Sequence, residues 1–291
     1  MSTWERVTRA RRCPVCGKPD WCLIRPDLSA AICPRTESKK FIEGSGYLHV
    51  LKETDWSRLE SRPERKELPE HNEVLATLAR KYYAACETEQ QVDASERMGV
   101  SDRSLRRLGM GWFPSQGANT FPMFRHSRRV IGVRVRSTDG DKWAIKGSKQ
   151  GLFIPTGLDD SKALFVCEGP TDTAAMLDMG FNAIGRPSCL GGKDLILELL
   201  ASRRNRDVVI MADGDEPGTD GARRLAQSLS KVTTKLVICS PPAGYKDVRA
   251  WYRGGELRRD EVIAHVKDAQ CRHGSASSPT TTSSAQTACS G

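Results

Sequence analysis

Residues 207–226 read DVVIMADGDEPGTDGARRLA. The run VVIM is continuously apolar, as is typical of a strand buried on both faces. Asp213 and Asp215 follow it, with Gly214 between them and Gly218 after them. The residues from about 217 to 230 have the pattern of a helix. This stretch therefore predicts a buried strand, a short acidic turn and a helix, which together form the repeating unit of a parallel sheet.

The same alternation of strand and helix extends to both sides of this stretch. Further buried strands are predicted at ALFVCE (163–168), NAIG (182–185) and KLVICS (235–240). Helices are predicted at TDTAAMLDMG (171–180), which ends at Gly180, and near 192–203. This order predicts an α/β fold with a parallel sheet and right-handed crossovers.

Acidic side chains stand where the predicted strands end. Glu168 and Gly169 follow ALFVC, Asp172 opens the next helix, and Asp247 follows KLVIC within YKDVRAW. The carboxyl ends of parallel strands share one edge, so we expect these acids to converge with Asp213 and Asp215. Neighbouring carboxylates repel one another, and Mg²⁺ relieves the repulsion because it prefers hard oxygen ligands. Alternatively, Asp172 and Asp215 are ordinary helix caps or turn formers.

A basic region precedes the parallel sheet. A helix is predicted at VLATLARKYYAAC (74–86), and Ser101 is a good N-cap for a second one at 101–110. FPMF, VIGVRV and KWAIKG then indicate short strands. Residues 121–150 contain eight Lys/Arg and two Asp, a formal charge of +6. Such strands suit binding of an acidic polymer, although a solvated sheet face would also be basic.

Four cysteines crowd into the first 33 residues, namely Cys13, Cys16, Cys22 and Cys33. The first two have C-x-x-C spacing, and four thiolates form the closed tetrahedral set that structural Zn²⁺ prefers. About 50 residues are also too few to fold on a core alone. We therefore predict a zinc site, with unligated buried cysteines as the alternative. His49 is a conceivable substitute ligand.

Basic and aromatic residues surround these cysteines. Trp21 and Phe41 are interleaved among Arg and Lys side chains. Cations contact phosphates and aromatic rings stack on bases, so this composition suits single-stranded nucleic acid. The alternative is that Trp21 packs on the metal core.

Bulk properties of the 291-residue chain limit the remaining possibilities. The net charge of +9 makes an acidic polymer a plausible partner. No apolar run approaches the ~20 residues needed to cross a bilayer, and MSTWERVTRARR is not a secretory signal. We therefore expect a cytoplasmic protein without a membrane partner. Residues 53–73 read as a charged linker and 269–291 as a disordered Ser/Thr-rich tail.

Residues 163–253 resemble a Toprim domain, the fold shared by bacterial-type primases, topoisomerases and some nucleases. CEGPTDTAAM resembles its strand-glutamate-glycine motif, and MADGDEPGTDGARRLA its Asp-x-Asp motif. The resemblance implies that Glu168 assists catalysis. It also implies a set of ligands for Mg²⁺ or Mn²⁺: Asp172, Asp213, Asp215 and Asp247. The last motif supplies one acid where primases often have two, which leaves the number of catalytic metals open.

NAIGRPS and KDVRAW are similar to the primase branch of this family. Upstream, LGMGWFP, TFPMF, VIGVRVRS and WAIKGSKQGLF resemble the subdomain that precedes Toprim in bacterial and phage-type primases. The resemblance implies a DNA primase that joins nucleoside triphosphates into short primers on a single-stranded DNA template. Five residues are expected to bind the nucleic acid or nucleotide: Arg134, Arg136, Lys146, Lys149 and Lys246. The expected segments are a zinc ribbon (1–52), the linker (53–73), an α+β primase subdomain (74–158), the Toprim domain (159–268) and the tail (269–291).

Two other functions stay open at this point. A Toprim-type nuclease would use much the same carboxylates, and a non-catalytic DNA-binding accessory protein would need none of them. There is no room for the DNA-gate domain of a topoisomerase. There is also no G-x-x-x-x-G-K-[ST] loop, so unwinding would come from a separate helicase. The lack of a fused helicase hints at a phage or mobile element.

Overall fold

A computed structural model of the chain describes residues 4–42, 45–52, 71–255 and 258–274. Three sheets carry the described fold, two antiparallel and one parallel. They follow one another along the chain, which matches the order expected from the sequence.

The first sheet belongs to the cysteine-rich segment, which we call the ribbon (residues 4–52). Its strands are β1 (Glu5–Arg6), β2 (Leu23–Ile24), β3 (Ala30–Cys33), β4 (Lys40–Ile42) and β5 (Gly46–Val50). They pair antiparallel in the order β1-β2-β3-β5-β4. Its apolar core is divided into two small clusters: Val7, Ile24 and Ala31 are buried with three of the four cysteines, and Ala30, Ile32 and Leu48 are buried separately. A core of this size needs a further source of stability.

The second sheet forms the basic region. Three helices precede or flank it: α1 (Glu73–Ala84), α2 (Thr88–Met98) and α3 (Asp102–Arg107). The strands are β6 (Gly111–Phe113), β7 (Ala118–Phe124), β8 (Val130–Ser137) and β9 (Lys142–Ala144), paired antiparallel in chain order. Ser101 caps α3 by accepting a hydrogen bond from the Ser104 amide at 3.1 Å, as predicted. Helix α2 was not predicted, because TEQQVDASERM is too polar to show a clear apolar stripe.

The third sheet is parallel, as predicted. Its strands are β10 (Leu164–Glu168), β11 (Ala183–Arg186), β12 (Val208–Met211) and β13 (Leu236–Cys239), in the order β11-β10-β12-β13. The helices are α4 (Gly169–Asp178), α5 (Lys193–Ala201), α6 (Glu216–Leu229), α7 (Val248–Arg253) and α8 (Arg259–Gly274). The cores place α4, α7 and α8 on one face of the sheet and α5 and α6 on the other. The result is a three-layer α/β/α unit.

A short extended segment joins the second and third sheets. Leu152 exchanges two backbone hydrogen bonds with Phe124 of β7 at 2.7 and 2.8 Å, and Phe153 exchanges two with Gly185 of β11 at 2.8 and 2.9 Å. One apolar cluster also runs from Phe121 on β7 to Phe165 on β10. The basic sheet and the parallel sheet are therefore built around a shared core.

The end of the described chain differs from the expectation. Helix α8 continues to Gly274, six residues into the tail predicted from residue 269, while residues 275–291 lie outside the described ranges. Most of the predicted linker, residues 53–70, lies outside them too. Within the described part of the chain, no helix is both long and apolar enough to cross a membrane.

Candidate functional site

The predicted acids gather at the carboxyl edge of the parallel sheet. Glu168 is the last residue of β10, which lies between β11 and β12. Asp213 and Asp215 follow β12, and Asp215 begins α6 as its N-cap. Asp247 is the N-cap of α7, and Asp172 lies buried in the first turn of α4. The topology therefore brings together side chains from three separate stretches of the sequence.

Backbone amides hold three of these carboxylates. Asp215 accepts from the Gly218 amide at 2.9 Å and Asp247 from the Ala250 amide at 2.7 Å, so both act as helix caps. Asp172 instead accepts from the Arg249 amide on α7, at 3.0 Å. Asp247 is a helix cap although none was predicted there, and the capping alternative offered for Asp215 agrees with the structure. It does not account for Asp172, whose carboxylate joins two helices.

Two glycines leave space for the acidic edge. A Cβ on Gly218 would come within 2.7 Å of the Asp213 Cβ and 2.9 Å of Asp215 Oδ1. Only glycine therefore allows α6 to start this close to the acidic turn. Gly169 has φ of +77° and open space beside its α-carbon, so the backbone can turn away after Glu168.

Two of these acids have strongly raised pKa values. Burial, followed by the charges of Glu168, Asp172, Asp247 and Asp215, raises the pKa of Asp213 to about 8. Burial and the charge of Asp247 raise the pKa of Asp172 to about 7, against the opposing effect of the Arg249 amide. Crowded carboxylates of this kind fit a divalent cation, which would favour their ionised forms. Among the residues described, only the cysteines have ligand atoms clustered closely enough for an ion, so the carboxylates would have to approach one another to bind one.

Basic side chains from the second sheet face these acids. Arg136 on β8 and Lys142 on β9 are cross-strand partners, and each interacts electrostatically with Asp172. Burial and the neighbouring Arg249 lower the pKa of Arg136. Lys142 stays exposed, yet the protein around it and the guanidinium groups of Arg136 and Arg134 lower its pKa to about 8. Two cations of the second sheet are therefore close enough to the acidic edge to interact with it electrostatically.

The other residues expected to bind nucleic acid are placed differently. Lys146 and Lys246 are exposed and Lys149 is half-buried. Arg134 is only 6% exposed, and its Nη2 donates to the Pro187 carbonyl at 3.0 Å. In this arrangement Arg134 cannot contact DNA, because the ribbon covers it. Its role in nucleic acid binding therefore remains a prediction that would require the ribbon to move.

The four cysteines form a candidate metal site. Their Sγ atoms all lie within 4.8 Å of one another, with 3.6 Å between Cys16 and Cys22 and 3.8 Å between Cys22 and Cys33. A tetrahedron with Zn–S bonds of about 2.3 Å has edges of about 3.8 Å, so a zinc ion fits. His49 is engaged elsewhere, since its Nε2 lies 2.9 Å from the Thr36 carbonyl oxygen.

The ribbon docks on the rest of the molecule through buried polar contacts. Asp20, which is 3% exposed, binds Arg35 within the ribbon at 2.7 Å and faces Arg134 of β8 at 3.7 Å. Trp21 has φ of +60° and lies between Arg6 and Arg134, 5.0 and 4.6 Å from its ring centroid. The expectation that Trp21 is free to stack on bases is thus wrong for this arrangement.

The aromatic ring of Phe41 is engaged as well. Arg224 of α6 lies 4.5 Å from its centroid. At the edge of the interface, Arg12 pairs with Asp141 at 3.0 Å. Both interleaved aromatic residues therefore contact arginines in the docked ribbon.

Sequence reasoning missed two residues of this region. Asp20 stands inside CPVCGKPDWC, where the cysteines and Trp21 were the residues predicted to be functional. Arg186 ends the strand quoted within NAIGRPS, and it is paired in register with Glu168. The available signal was a charged residue that closes a buried strand beside the glutamate predicted to be catalytic.

Comparison with known proteins agrees with this geometry. Residues 165–251 match the model of the Toprim-like family. The gene 57 protein of Mycobacterium phage D29 is 32% identical over 104 residues, which are 34% of this chain and 67% of that protein.

Three solved structures are similar over larger parts of the chain. The Escherichia coli primase catalytic core has a TM-score of 0.53 at 18% identity, covering 68% of this chain and 79% of that one. A DnaG primase catalytic domain bound to single-stranded DNA has a TM-score of 0.54 at 18% identity, covering 68% and 80%. The primase fragment of the bacteriophage T7 primase-helicase has a TM-score of 0.50 at 14% identity, covering 91% and 100%.

At identities of 14–18%, similarity to the solved structures shows the fold alone. The phage protein, at 32% identity, shows the family. The resemblance to Toprim primases is confirmed at that level. The chain belongs to the family of the gene 57 protein of Mycobacterium phage D29, carries a Toprim-like domain and has the fold of a bacterial and phage-type primase core.

Proposed function

We propose that this protein is a DNA primase that synthesises short primers on single-stranded DNA. One observation carries the proposal: Arg136 of the basic sheet interacts electrostatically with Asp172 and Asp247 at the acidic edge, and Lys142 interacts with Asp172 and Glu168. Template-directed synthesis needs cations for the template and triphosphate beside acids that can hold metal. The single-stranded DNA bound to one structure of the same fold supports this class of template.

A divalent cation, Mg²⁺ or Mn²⁺, would be held by the four aspartates Asp172, Asp213, Asp215 and Asp247. When bound, such a cation stabilises negative charge on the phosphoryl group that is transferred. Zn²⁺ would be held by Cys13, Cys16, Cys22 and Cys33 as a structural ion.

The protein's own side chains would perform the remaining tasks. Arg136 and Lys142 would bind phosphates of the triphosphate or template and orient them towards the acids. Glu168, fixed at the end of a central strand, would accept the proton of the attacking hydroxyl group. Lys146, Lys149 and Lys246 would bind further phosphates, beyond those bound by Arg136 and Lys142. A separate helicase would supply unwound template.

Asp213→Asn and Glu168→Gln test the proposal. Both should lower primer synthesis from labelled nucleoside triphosphates at least about 100-fold, because they remove charge needed in the transition state. Affinity for single-stranded DNA should stay within about threefold, since phosphates are bound by the basic sheet. Asp247→Asn should reduce synthesis less, because its motif supplies one acid rather than two.

Asp220→Asn is the matched control. Asp220 lies on the same helix as the Asp215 cap but pairs with Arg223 at 3.0 Å on the surface, so synthesis should be unchanged. Primer synthesis that survives in Asp213→Asn would refute the assignment of the acids. A wild-type protein that shortens the template and makes no primers would be a nuclease using the same residues.

A further inference from the structure

Arg186 is a buried cation at the acidic edge. It is 1% exposed and ends β11, in register with Glu168 at the end of the adjacent parallel strand. Residues in register on parallel neighbours point to the same face of the sheet. Arg186 and Glu168 therefore leave the sheet on the side where α6 packs.

The hydrogen bonds of Arg186 use only one of its three nitrogens. Nη1 donates to the carbonyl oxygens of Cys189 and Gly221, at 2.6 and 3.3 Å. Nε and Nη2 are buried without a partner among the described residues. These two nitrogens form one edge of the guanidinium, the edge that binds a carboxylate or phosphate through two parallel hydrogen bonds.

No anion of the described chain occupies that edge. Within the described ranges, no carboxylate forms an ion pair with Arg186, although Glu168 is its neighbour in register. A buried charge without a counter-ion is costly, so an anion at this position would be strongly favoured. A bound ligand is the partner that would satisfy this edge.

The surroundings indicate which kind of anion fits. Cys189, whose carbonyl group binds Arg186, also lies within the electrostatic influence of Glu168, Asp213 and Asp215. Arg186 is thus next to the carboxylates that would hold a divalent cation. A phosphate group that shares this cation would also reach a guanidinium on its other side.

We propose that the free Nε and Nη2 edge of Arg186 binds a phosphate group of the nucleotide held at the acidic edge. The identity of the anion rests on the proposed function, whereas the presence of an anion site rests on the geometry of Arg186. The residue would contact substrate directly.

The loop at residues 187–192 covers this site. Arg134 donates to its Pro187 carbonyl, and the Cys189 thiol lies 3.7 Å from the Pro34 carbonyl oxygen of the ribbon. The loop ends at Gly192, whose φ of +87° favours glycine. Entry of a phosphate requires this loop to move, which breaks the Arg134–Pro187 hydrogen bond as well as the weaker contact of the Cys189 thiol.

Binding of pyrophosphate and ATP to the full-length protein in Mg²⁺, measured by calorimetry, tests the proposal. Arg186→Met should raise the dissociation constant at least about tenfold, because two charged hydrogen bonds are lost. Arg186→Lys should retain part of the affinity as a point charge. Arg203→Met is the control, since Arg203 is also buried but donates to the Asp159, Lys162 and Asn205 carbonyl groups away from the acids.

A folded Arg186→Met protein that binds pyrophosphate within about twofold of wild type would overturn the proposal. If that variant does not fold, the ¹⁵N signal of the Arg186 Nε–H group in the wild type decides. It should shift on saturation with pyrophosphate, and an unchanged signal would also overturn the proposal. Primer synthesis is measured separately, so a protein that makes no primers but binds pyrophosphate through Arg186 would refute only the proposed function.

Discussion

At the scale of single residues, the fold makes it harder for the carboxyl groups of Asp213 and Asp172 to ionise. Asp213 and Asp172 have pKa values raised to about 8 and about 7, first because they are buried and then because other acids face them. A raised pKa means that the folded state binds the proton more tightly than the unfolded chain does. The carboxylates are thus held in place by the fold despite their repulsion.

This repulsion should make stability depend on pH. Without divalent metal, the stabilising effect of protonating Asp213 and Asp172 is fully present below pH ~4 and is lost as the pH rises towards about 8. We therefore predict that the melting temperature falls between pH 5 and 8, that Mg²⁺ restores part of the loss at pH 8, and that Asp213→Asn flattens the profile. Calorimetry with and without chelator measures all three.

An exposed acid provides the control for this pH series. Asp260→Asn, in the first turn of α8, should leave the profile unchanged. A wild-type profile that does not respond to Mg²⁺ at pH 8 would contradict a cation site at this edge. Each kcal/mol corresponds to about 2–4 °C for a chain of this size, so the effect is measurable.

Single residues also show which features of the site could be predicted from the sequence and which could not. Glu168, Asp213 and Asp247 could be predicted because each follows a strand whose apolar run is visible in the sequence. Arg134 was expected to bind phosphates, yet it is buried beneath the ribbon. Burial of that kind depends on contact between distant segments, which neither periodicity nor charge counts contain.

At the scale of elements, we expect the ribbon to depend on its four-cysteine cluster. Its apolar residues form two small clusters, one around the cysteines and one of Ala30, Ile32 and Leu48. Binding of a metal by the cysteines would add to the free energy that folds this segment. Cys22 directly precedes β2 and Cys33 ends β3, and the antiparallel pairing of these two strands brings the two cysteines together.

Cys22→Ser should abolish zinc binding and unfold the ribbon while the rest of the protein stays folded. The wild type should contain about one zinc per chain, because four thiolates complete a tetrahedral site. Metal analysis and amide exchange over residues 4–52 measure the two effects. Cys271→Ser, which alters an exposed cysteine on α8, should keep the zinc, as should His49→Ala. Full zinc content in Cys22→Ser would remove Cys22 from the ligand set.

Elements differed in how well the sequence predicted them. The four parallel strands could be predicted because a buried strand has a continuous run of apolar residues. Strands β7 and β8 could be predicted because turn residues flank them. Helix α2 was not predicted because most of its residues are polar and belong to its exposed face. The end of α8 was assigned to the tail for the same reason. Polar helices are stabilised by packing that the sequence does not display.

At the scale of the whole molecule, docking of the ribbon is centred on Arg134. This side chain contacts Asp20, the Trp21 ring and the Pro187 carbonyl group, and so joins three segments. Burial lowers its pKa to about 10, against the attraction of Asp20. A buried cation with several partners fixes an interface more firmly than an exposed ion pair does.

Arg134→Met should therefore release the ribbon without affecting zinc. Faster amide exchange at residues 18–22 and a larger radius of gyration in solution scattering would report the release. Asp141→Asn removes the peripheral pair with Arg12, which is worth about 0–1 kcal/mol, and should change little. If Arg134→Met leaves amide exchange unaltered and weakens DNA binding, Arg134 instead binds the template, as the sequence predicts.

The segment around Leu152 and Phe153 has a consequence for how the molecule can be divided. Strand β11 is the outermost strand of the parallel sheet, and Phe153 covers part of its outer edge with two backbone hydrogen bonds. A fragment starting at residue 159 would leave that edge with unpaired amide and carbonyl groups. Such edges recruit strands from other molecules, so the isolated fragment should self-associate. The unit that remains monomeric should begin upstream of β7, even though the matched family domain begins at residue 165.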